Sequence, residues 1–401
     1  MKIKKTKIVF YIDVLVTLVF FNPQFVSQIP FLNRIVDILR ILIFLIFLFK
    51  WIINGKIKKI HNYIFLFLIS RLIATVISGD DVSGVIILFF PIITMMLFID
   101  VNREELSRLI KSVYIASLLL IVGNTITLLL FPQGLYSTNY GYNVYWLIGQ
   151  KQDWNTVYIA FFTCSLMLWE KNVNHIKTLI GYACIVYSFT VQLPLGLILY
   201  FLVVISLFFI SKKRKVLKAK FLFSINAILE CILIIVAFIF EKINWLNVIL
   251  SAISANDIMS KRDTLMIRIE MWKEGLAQVL RKPIFGLGSI SDIRWNRLFH
   301  NVGYHPNFHN TPVDIIVTSG IVGFVTYLMV YKCVAEKLDK SLSRHSVVLT
   351  YSIFGINILM LVEGLYAPFV WFFIFLGFYI RELDRDIQTT EYFVVERKKR
   401  K

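Results

Sequence analysis

Long apolar runs, repeated along almost the whole chain, constrain this sequence more than any other feature. A helix of roughly 17 to 25 apolar residues is long enough to cross the hydrocarbon core of a bilayer. Because 58% of the 401 residues are hydrophobic and only 17% are charged, a soluble globular protein is excluded. We predict an all-α polytopic membrane protein with about twelve transmembrane helices. The predicted segments are 8–21, 35–53, 62–78, 84–99, 112–131, 155–169, 178–191, 194–210, 221–240, 311–331, 346–363 and 366–380.

Lysine and arginine collect in every second loop between these segments, with the densest run at 211–220 and another at the C-terminus. Short loops rich in these residues stay in the cytoplasm. We therefore predict a multi-pass protein of the cytoplasmic (inner or plasma) membrane with both termini cytoplasmic. The net charge of +18 is then mainly a topology signal, and its partner is membrane lipid. Nucleic acid is the weaker interpretation, because the charge is scattered over many loops instead of one patch.

This topology leaves two substantial segments on the outer side of a single membrane domain, 1–401. The first, 132–154, is rich in Tyr, Trp, Gly and Asn, which suits either sugar binding or an aromatic belt at the membrane interface. The second is one large external loop, 242–308, between helices nine and ten. Within it, residues 264–281 have apolar positions at helical spacing and predict an amphipathic helix that lies on the membrane, ended by Pro283.

Cations and imidazoles gather in and just after this loop. Arg268 lies four residues before Trp272, so that both can share one helix face. From the residues alone, a solvated charge or an ion pair with Glu270 or Glu274 is the favoured interpretation of Arg268. Arg294, Arg297, His300, His305 and His309 follow. Their spacing is not that of known zinc ligands, so we predict no metal site and no cofactor. The four cysteines, which fall in or beside apolar runs, are interpreted as packing residues.

His309 immediately precedes a predicted helix start. Asn310 or Thr311 can cap that helix, and Pro312 suits its first turn. The positive end of a helix disfavours an imidazolium, so His309 is expected to be neutral and able to accept a proton. A structural role is the usual one for a histidine in this position. Farther along, Gly320 and Gly323 leave room for close helix packing or for a lipid chain.

Two linked motifs make the sequence resemble a known family. His309 and Asn310, followed after nine residues by Gly320 and Gly323, are similar to the signature of the O-antigen ligase and Wzy-type O-antigen polymerase superfamily. Upstream, the spacing R-x3-W followed by P-x2-G-x-G resembles the motif in that family's large external loop. The residues that carry this second match are Arg268, Trp272, Pro283, Gly286 and Gly288.

The resemblance implies a GT-C-like, metal-independent glycosyltransferase that takes glycan from undecaprenyl pyrophosphate outside the cytoplasmic membrane. It assigns His309 as the base and Arg268 as the pyrophosphate clamp, since a guanidinium grips phosphate at two points. The partners implied are the lipid-linked glycan, and a chain-length regulator and flippase of the same pathway. The candidate substrate-binding residues are Arg71, Arg40, Arg294, Arg297, His305, Asn310 and Trp272.

Two of these candidates, Arg40 and Arg71, lie inside apolar runs, where an arginine is a functional-site hypothesis. They either extend the pyrophosphate site or form ion pairs with Asp13, Asp37 or another helix. A departure from the family also bears on the site: many relatives carry a Ser-Arg near the outer end of the seventh or eighth helix, whereas Gln192 or Leu193 stands there in this chain. Other cations must then neutralise the carrier's phosphates, with Arg71, Arg294 and Arg297 as candidates. Asn155 also resembles an Asn that often opens the sixth helix of these proteins.

Four functions remain open on this evidence. We predict a polysaccharide polymerase that joins lipid-linked repeat units, because polymerases vary widely in sequence with their sugars and a degenerate arginine motif fits that variation. An O-antigen ligase, which transfers the finished glycan to a lipid or protein acceptor, shares the same motifs. A polysaccharide flippase or other transporter is a further alternative, but it should show internal repeats and a charged central path. A scaffold without chemistry leaves the His309 motif unexplained.

Overall fold

The computed structural model describes residues 2–137, 144–169, 175–213, 216–239, 259–299, 308–341, 343–364 and 367–387. Within these ranges the secondary structure is helical apart from one antiparallel pair of two-residue strands, β1 (Tyr136–Ser137) and β2 (Val144–Tyr145). This agrees with the predicted all-α class. The helices are α1 (Lys2–Phe21), α2 (Gln24–Ser27), α3 (Pro30–Asn54), α4 (Lys59–Ile77), α5 (Ser83–Val101), α6 (Leu106–Leu130), α7 (Trp154–Leu168), α8 (His175–Val191), α9 (Leu195–Lys213), α10 (Ala219–Ile239), α11 (Met259–Arg281), α12 (Asp292–Leu298), α13 (Thr311–Leu338), α14 (Arg344–Met360) and α15 (Pro368–Phe378).

Every predicted apolar segment falls largely on one helix. By length and composition, four described helices are able to cross a membrane: α4, α5, α6 and α13. Helices α7, α8 and α15 are apolar but shorter, and so is the apolar part of α9, Leu195–Ser211. The number of about twelve spans, the single domain 1–401 and the external position of 242–308 remain predictions. Residues 240–258 and 300–307 of that loop lie outside the described residues.

Helix α13 lies at the centre of the helix packing, against α4, α10, α11, α14 and α15. Large aromatic rings fill the interfaces: Phe67 of α4 stacks on Trp371 of α15 at a centroid distance of 6.2 Å and lies 6.3 Å from the ring of Tyr327 on α13. Lipid tails are as apolar as these rings, so between membrane helices such contacts stabilise by close packing and dispersion.

Contacts between connections sort the helix ends into two opposite faces. On the face that we name the basic face, the Asp100 carboxylate at the end of α5 accepts a 2.6 Å hydrogen bond from Trp51 Nε1 and lies 3.6 Å from Lys58 Nζ. On the opposite face, named the site face, the Gln24 N–H donates to the Ile148 carbonyl at 2.9 Å. The basic loop 55–58 lies on the first face and the candidate site on the second. Which of the two faces is cytoplasmic remains a prediction.

Helix α13 is broken at Gly320, whose φ of 62° and ψ of −165° are not helical. This combination is open essentially to glycine alone, because a Cβ would collide with the backbone. A break in mid-helix leaves carbonyls before it and N–H groups after it without their usual partners, and inside a bilayer each such group costs several kcal/mol. Something other than the helix must therefore satisfy them.

The 283–288 connection after α11 supplies these partners. Its backbone runs alongside the break, and Gly286 makes the approach possible, since a Cβ there would lie 2.5 Å from the Val317 carbonyl oxygen. The P-x2-G-x-G and G-x2-G motifs are thus two sides of one backbone junction. Its four bonds are Leu287 N–H to Val317 O (2.8 Å), Gly288 N–H to Thr318 O (3.0 Å), Ile321 N–H to Pro283 O (2.9 Å) and Val322 N–H to Ile284 O (3.1 Å).

Candidate functional site

Three elements bring charged side chains together on the site face. Arg268 comes from α11, His309 from the segment before α13, and Glu363 from the connection between α14 and α15. Glu363 lies between the other two, with Oε1 3.7 Å from Arg268 Nη2 and Oε2 3.8 Å from His309 Nδ1. The two residues of the sequence motifs are therefore linked through a single carboxylate.

The end of α14 orients Arg268. Arg268 Nη1 donates a 2.6 Å hydrogen bond to the carbonyl of Val362. Val362 lies just past the last turn of α14, where backbone carbonyls carry partial negative charge. The guanidinium Nε is buried without a hydrogen-bond partner among the described residues. One edge of the guanidinium is thus fixed by backbone and by Glu363, and its Nε retains an unused donor.

Asn310 and Thr311 fix the position of His309. The Asn310 side chain caps α13 by accepting from Val313 N–H at 2.9 Å, as predicted, and its Nδ2 donates to the Leu361 carbonyl at 2.8 Å. Thr311 Oγ1 donates to the Glu363 carbonyl at 3.1 Å. His309 itself has a φ of 48°, an uncommon value for a residue with a side chain. The start of α13 is therefore tied to the connection that carries Glu363.

Trp272 supports the same segment from α11. Its Nε1 donates a 2.6 Å hydrogen bond to the carbonyl of Phe308, the residue before His309. Gly275 lies one turn farther along α11, and a Cβ there would meet the Phe308 ring at 2.6 Å. Met271, Trp272, Leu276 and Val279 are buried, so the predicted apolar side of this helix packs on the protein.

A cavity of about 520 Å³ opens beside Arg268 and Glu363. One side is polar and includes Lys151, Gln152 and Asn155, from the residues around the start of α7. The apolar lining residues come from the first turns of α9 and the residues just before it, within 193–199. The cavity thus pairs a charged surface with an apolar one in a volume typical of small-molecule sites.

The intramembrane arginines both form ion pairs. Arg71 Nη1 lies 3.4 Å from Asp314 Oδ2, which joins α4 to the first turn of α13. Arg40 Nη1 lies 3.3 Å from Asp37 Oδ1, and its Nε donates to the Val19 carbonyl. Arg71 is thus held near the candidate site, whereas Arg40 belongs to the contact between α1 and α3.

Arg294 joins two connections of the site face. Its Nη1 lies 3.3 Å from Asp80 Oδ2 and donates to the Leu287 carbonyl at 2.9 Å. Burial would raise the pKa of Asp80, but hydrogen bonds from Ser291 and Arg294 outweigh it and hold that pKa below the usual value of 3.8. Arg297 is exposed on α12, and His305 lies outside the described residues.

The aromatic segment before α7 packs into the protein. Tyr145, Trp146 and Trp154 are buried, and the Tyr136 ring stacks on Tyr145 with centroids 5.2 Å apart. Residues 138–143 lie outside the described residues. The described part of this segment is therefore a packed support beside the cavity.

Sequence reasoning did not single out Glu363 or Lys151. Glu363 has one visible signal, since it is the only Asp, Glu, Lys or Arg between residues 345 and 380 and it separates two apolar runs. Lys151 has no such signal, because a lysine at a membrane interface is common. In the described part of the chain, no group of three or more His, Cys, Asp or Glu side chains is placed to hold a metal ion.

One comparison matches part of this chain to a family model. Residues 180–328 match the model of a family described as O-antigen ligase. The matched range includes Arg268, Trp272, His309, Gly320 and Gly323, so the family resemblance that these motifs predict is confirmed. A comparison with curated proteins finds no match.

Proposed function

We propose, from the premise that residues 180–328 form an O-antigen ligase family region, that this protein is a membrane glycosyltransferase of polysaccharide assembly. The reaction proposed is polymerisation: oligosaccharide repeat units linked to undecaprenyl pyrophosphate are joined at the outer face of the cytoplasmic membrane. The site face is then the outer face, and the basic face is cytoplasmic. His309 acts as the base and Arg268 as the pyrophosphate clamp, without a metal ion.

One observation carries this proposal: Glu363 links Arg268 to His309 at 3.7 and 3.8 Å, beside a cavity with a polar and an apolar side. Transfer from a lipid pyrophosphate requires a cation for the leaving group, a base for the incoming hydroxyl and a surface for a lipid chain. The closeness of Arg268, His309 and the apolar residues of the cavity supports assigning these three requirements to one region of the site face.

The reaction forms one bond and breaks one bond. The acceptor sugar's hydroxyl oxygen attacks the anomeric carbon of the donor glycan while His309 takes the hydroxyl proton. The bond between that carbon and the pyrophosphate oxygen breaks, and undecaprenyl pyrophosphate leaves with the electron pair. Arg268 stabilises the added negative charge on the phosphate. The proton then passes from His309 to water, which restores the base.

The Glu363 carboxylate fits a supporting role in this scheme. A carboxylate beside Nδ1 favours the tautomer with hydrogen on Nδ1, so that Nε2 carries the lone pair. It also stabilises the positive charge that develops on the imidazole during transfer, the role that an aspartate plays toward histidine in hydrolase triads. Arg268, paired with the same carboxylate, stays oriented before the donor binds.

The test replaces His309 and Arg268 with alanine in cells and examines the surface glycan as a ladder on a gel. We expect both variants to lose long chains at normal protein level. Arg281→Ala, which removes an exposed arginine from the same helix, and His175→Ala, which removes an exposed histidine at the start of α8, are the matched controls. An unchanged ladder in the His309 and Arg268 variants would contradict the proposal.

The same experiment separates polymerase from ligase. A polymerase defect leaves single repeat units attached to their final acceptor, because ligation still proceeds. A ligase defect leaves long polymer on the lipid carrier. The family match carries the name ligase, so this is the second candidate, and it shares the same residues and chemistry.

A further inference from the structure

The cavity beside Arg268 contains a second cation, Lys151. It lies three residues before the start of α7, in a connection far in sequence from α11, and its side chain is half-buried. In the part of the chain that the structure describes, Lys151 forms no ion pair, whereas Arg268 is paired with Glu363. Two cations and one carboxylate give this cavity a net positive charge.

A pyrophosphate diester needs more positive charge than Arg268 alone provides. Each of its two phosphates carries a negative charge, and the leaving group gains another when the sugar departs. Arg268 is already paired with the Glu363 carboxylate, so its positive charge is divided between that carboxylate and a bound phosphate. Arg294 and Arg71 hold Asp80 and Asp314. Lys151 is the cation in this cavity whose charge no described carboxylate offsets.

Two residues that line the cavity each have a buried polar atom without a hydrogen-bond partner among the described residues. Asn155 is 3% exposed, lines the cavity, and has an Oδ1 without a hydrogen-bond partner among the described residues. Arg268 Nε is likewise buried without a partner. A buried polar group that lacks a hydrogen bond costs roughly 1–3 kcal/mol. A phosphate oxygen can accept from Arg268 Nε, whereas Asn155 Oδ1 is an acceptor and needs a donor, such as a hydroxyl of the donor's sugar.

The apolar side of the cavity has the chemistry of a lipid site. Leu193, Leu195 and Leu199 line it and are exposed along its rim, at 51%, 53% and 37%. Gly196 lies between them, and the space that its Cβ would take is occupied by the Leu359 side chain, 2.7 Å away. A branched hydrocarbon chain that leaves the polar side at this point passes directly onto an apolar surface that faces the bilayer.

We propose that Lys151 is the second phosphate-binding residue of this cavity and that residues 193–199 hold the first isoprene units of the donor. This inference rests on the proposed function, because it assumes a polyprenyl pyrophosphate donor. The phosphate next to the lipid lies between Lys151 and the 193–199 wall, and the phosphate next to the sugar lies at Arg268. Many relatives carry an arginine where this chain has Gln192 or Leu193. Lys151 would supply that missing positive charge from another connection.

The test measures binding of two lipids to the purified full-length protein in nanodiscs. The lipids are undecaprenyl pyrophosphate and undecaprenol, which share the hydrocarbon chain and differ in the phosphates. We expect Lys151→Met to weaken binding of undecaprenyl pyrophosphate about tenfold or more, which corresponds to the loss of one charge-assisted hydrogen bond, and to leave undecaprenol binding unchanged. Lys151→Arg should retain most of the affinity. Leu199→Gln should weaken binding of both lipids.

Lys282→Met is the matched control, because it removes an exposed lysine from the same face, outside the cavity. Wild-type preference for undecaprenyl pyrophosphate in Lys151→Met, or an equal loss for both lipids, would overturn the role of Lys151 while leaving the proposed function intact. A wild-type protein that does not prefer undecaprenyl pyrophosphate over undecaprenol would overturn both. Size-exclusion profiles of all variants establish that each one is folded.

Discussion

Glu363 Oε2 lies 3.8 Å from Nδ1 of His309, and this contact joins the connection between α14 and α15 to the start of α13. Fifty-four positions separate the two residues in the sequence. The contact holds Nδ1 of His309 against Glu363, and Nε2 is therefore the nitrogen that we propose accepts the proton. The same carboxylate pairs with Arg268, so it couples the proposed base to the proposed clamp.

Replacement of Glu363 with glutamine tests this coupling. The amide keeps the size of the side chain but removes its charge, so the imidazolium formed during transfer loses its stabilising partner. We expect glycosyl transfer to fall about tenfold or more, equivalent to at least about 1.4 kcal/mol of transition-state stabilisation. The measurement is the initial rate of chain extension in membranes supplied with lipid-linked repeat unit.

Glu363→Asp is the informative companion variant, since it restores the charge one methylene farther from His309. Its rate should lie between those of the wild type and Glu363→Gln. Equal rates for the wild type and Glu363→Gln at equal protein level would show that the carboxylate plays no part in the reaction.

Gly320→Ala tests the junction between the two glycine motifs. An alanine there is strained by its positive φ, and its Cβ would lie 2.3 Å from the Ile284 carbonyl oxygen. Gly79→Ala is the control, because φ is similar, at +68°, and nothing lies within 4 Å of the added carbon. Both changes add backbone strain of about 1–3 kcal/mol from the positive φ, and Gly320 in addition has a ψ of −165° that is open essentially to glycine. The extra loss of thermal stability in Gly320→Ala therefore measures the steric contact together with this ψ-dependent strain.

If Gly79→Ala and Gly320→Ala lower the apparent Tm equally, the close approach of the 283–288 connection to α13 does not stabilise the fold.

The Asp80–Arg294 pair is expected to be a structural tether. Each single change, Asp80→Asn or Arg294→Met, should lower the free energy of unfolding by about 1–3 kcal/mol, since each removes a hydrogen bond to a charged group. The double variant should lose less than the sum, because the partner left behind in each single variant is no longer unpaired. Strictly additive losses, measured by denaturant unfolding in detergent, would rule out the coupling.

Asp153 is expected to make the folded protein less stable as pH rises, whereas a carboxylate in an ion pair makes it more stable. Burial raises the pKa of Asp153 from 3.8 to about 6, although a hydrogen bond from Gln150 N–H opposes the rise. The folded protein therefore binds more protons than the unfolded chain between about pH 4 and pH 6. Stability falls as pH rises through this window and stays lower above it.

Asp153→Asn removes that slope, because an amide is neutral at every pH and still accepts from Gln150. Above pH 6 the variant should be more stable than the wild type by up to about 3 kcal/mol, from two pKa units at about 1.4 kcal/mol each. The apparent Tm between pH 4 and pH 8 measures this, with exposed Glu104→Gln as the control. A variant whose Tm follows the wild type across this range would contradict the assignment.

Membrane orientation is tested by cysteine labelling in intact cells. In a chain whose four cysteines are replaced by serine or alanine, Lys282→Cys lies on the site face and Lys56→Cys on the basic face, both at exposed positions. We expect a membrane-impermeant maleimide to label the first and not the second, since basic loops stay in the cytoplasm. Labelling of the second alone would invert the topology and place the proposed reaction on the wrong side.

The sequence by itself determined the helical segments, because an apolar run long enough to cross a bilayer has almost no other way to satisfy its backbone. It also predicted a cap at Asn310 or Thr311, of which the structure shows Asn310, and the end of α11 before Pro283. Both depend on interactions within one turn of helix. The two motifs that mark the family were visible for the same reason: each lies in a short stretch of chain.

Only the tertiary structure decided which distant groups meet. Nothing in the spacing places Glu363 beside His309, or Lys151 in the cavity with Arg268, because these contacts depend on how α7, α9, α11 and α14 pack. The arginines illustrate the same point: sequence left ion pairing and phosphate binding equally open for Arg71, and the packing of α4 on α13 sets its distance to Asp314. Whether a charged side chain forms an ion pair or binds phosphate depends on the groups within a few ångströms of it, and helix packing brings those groups together.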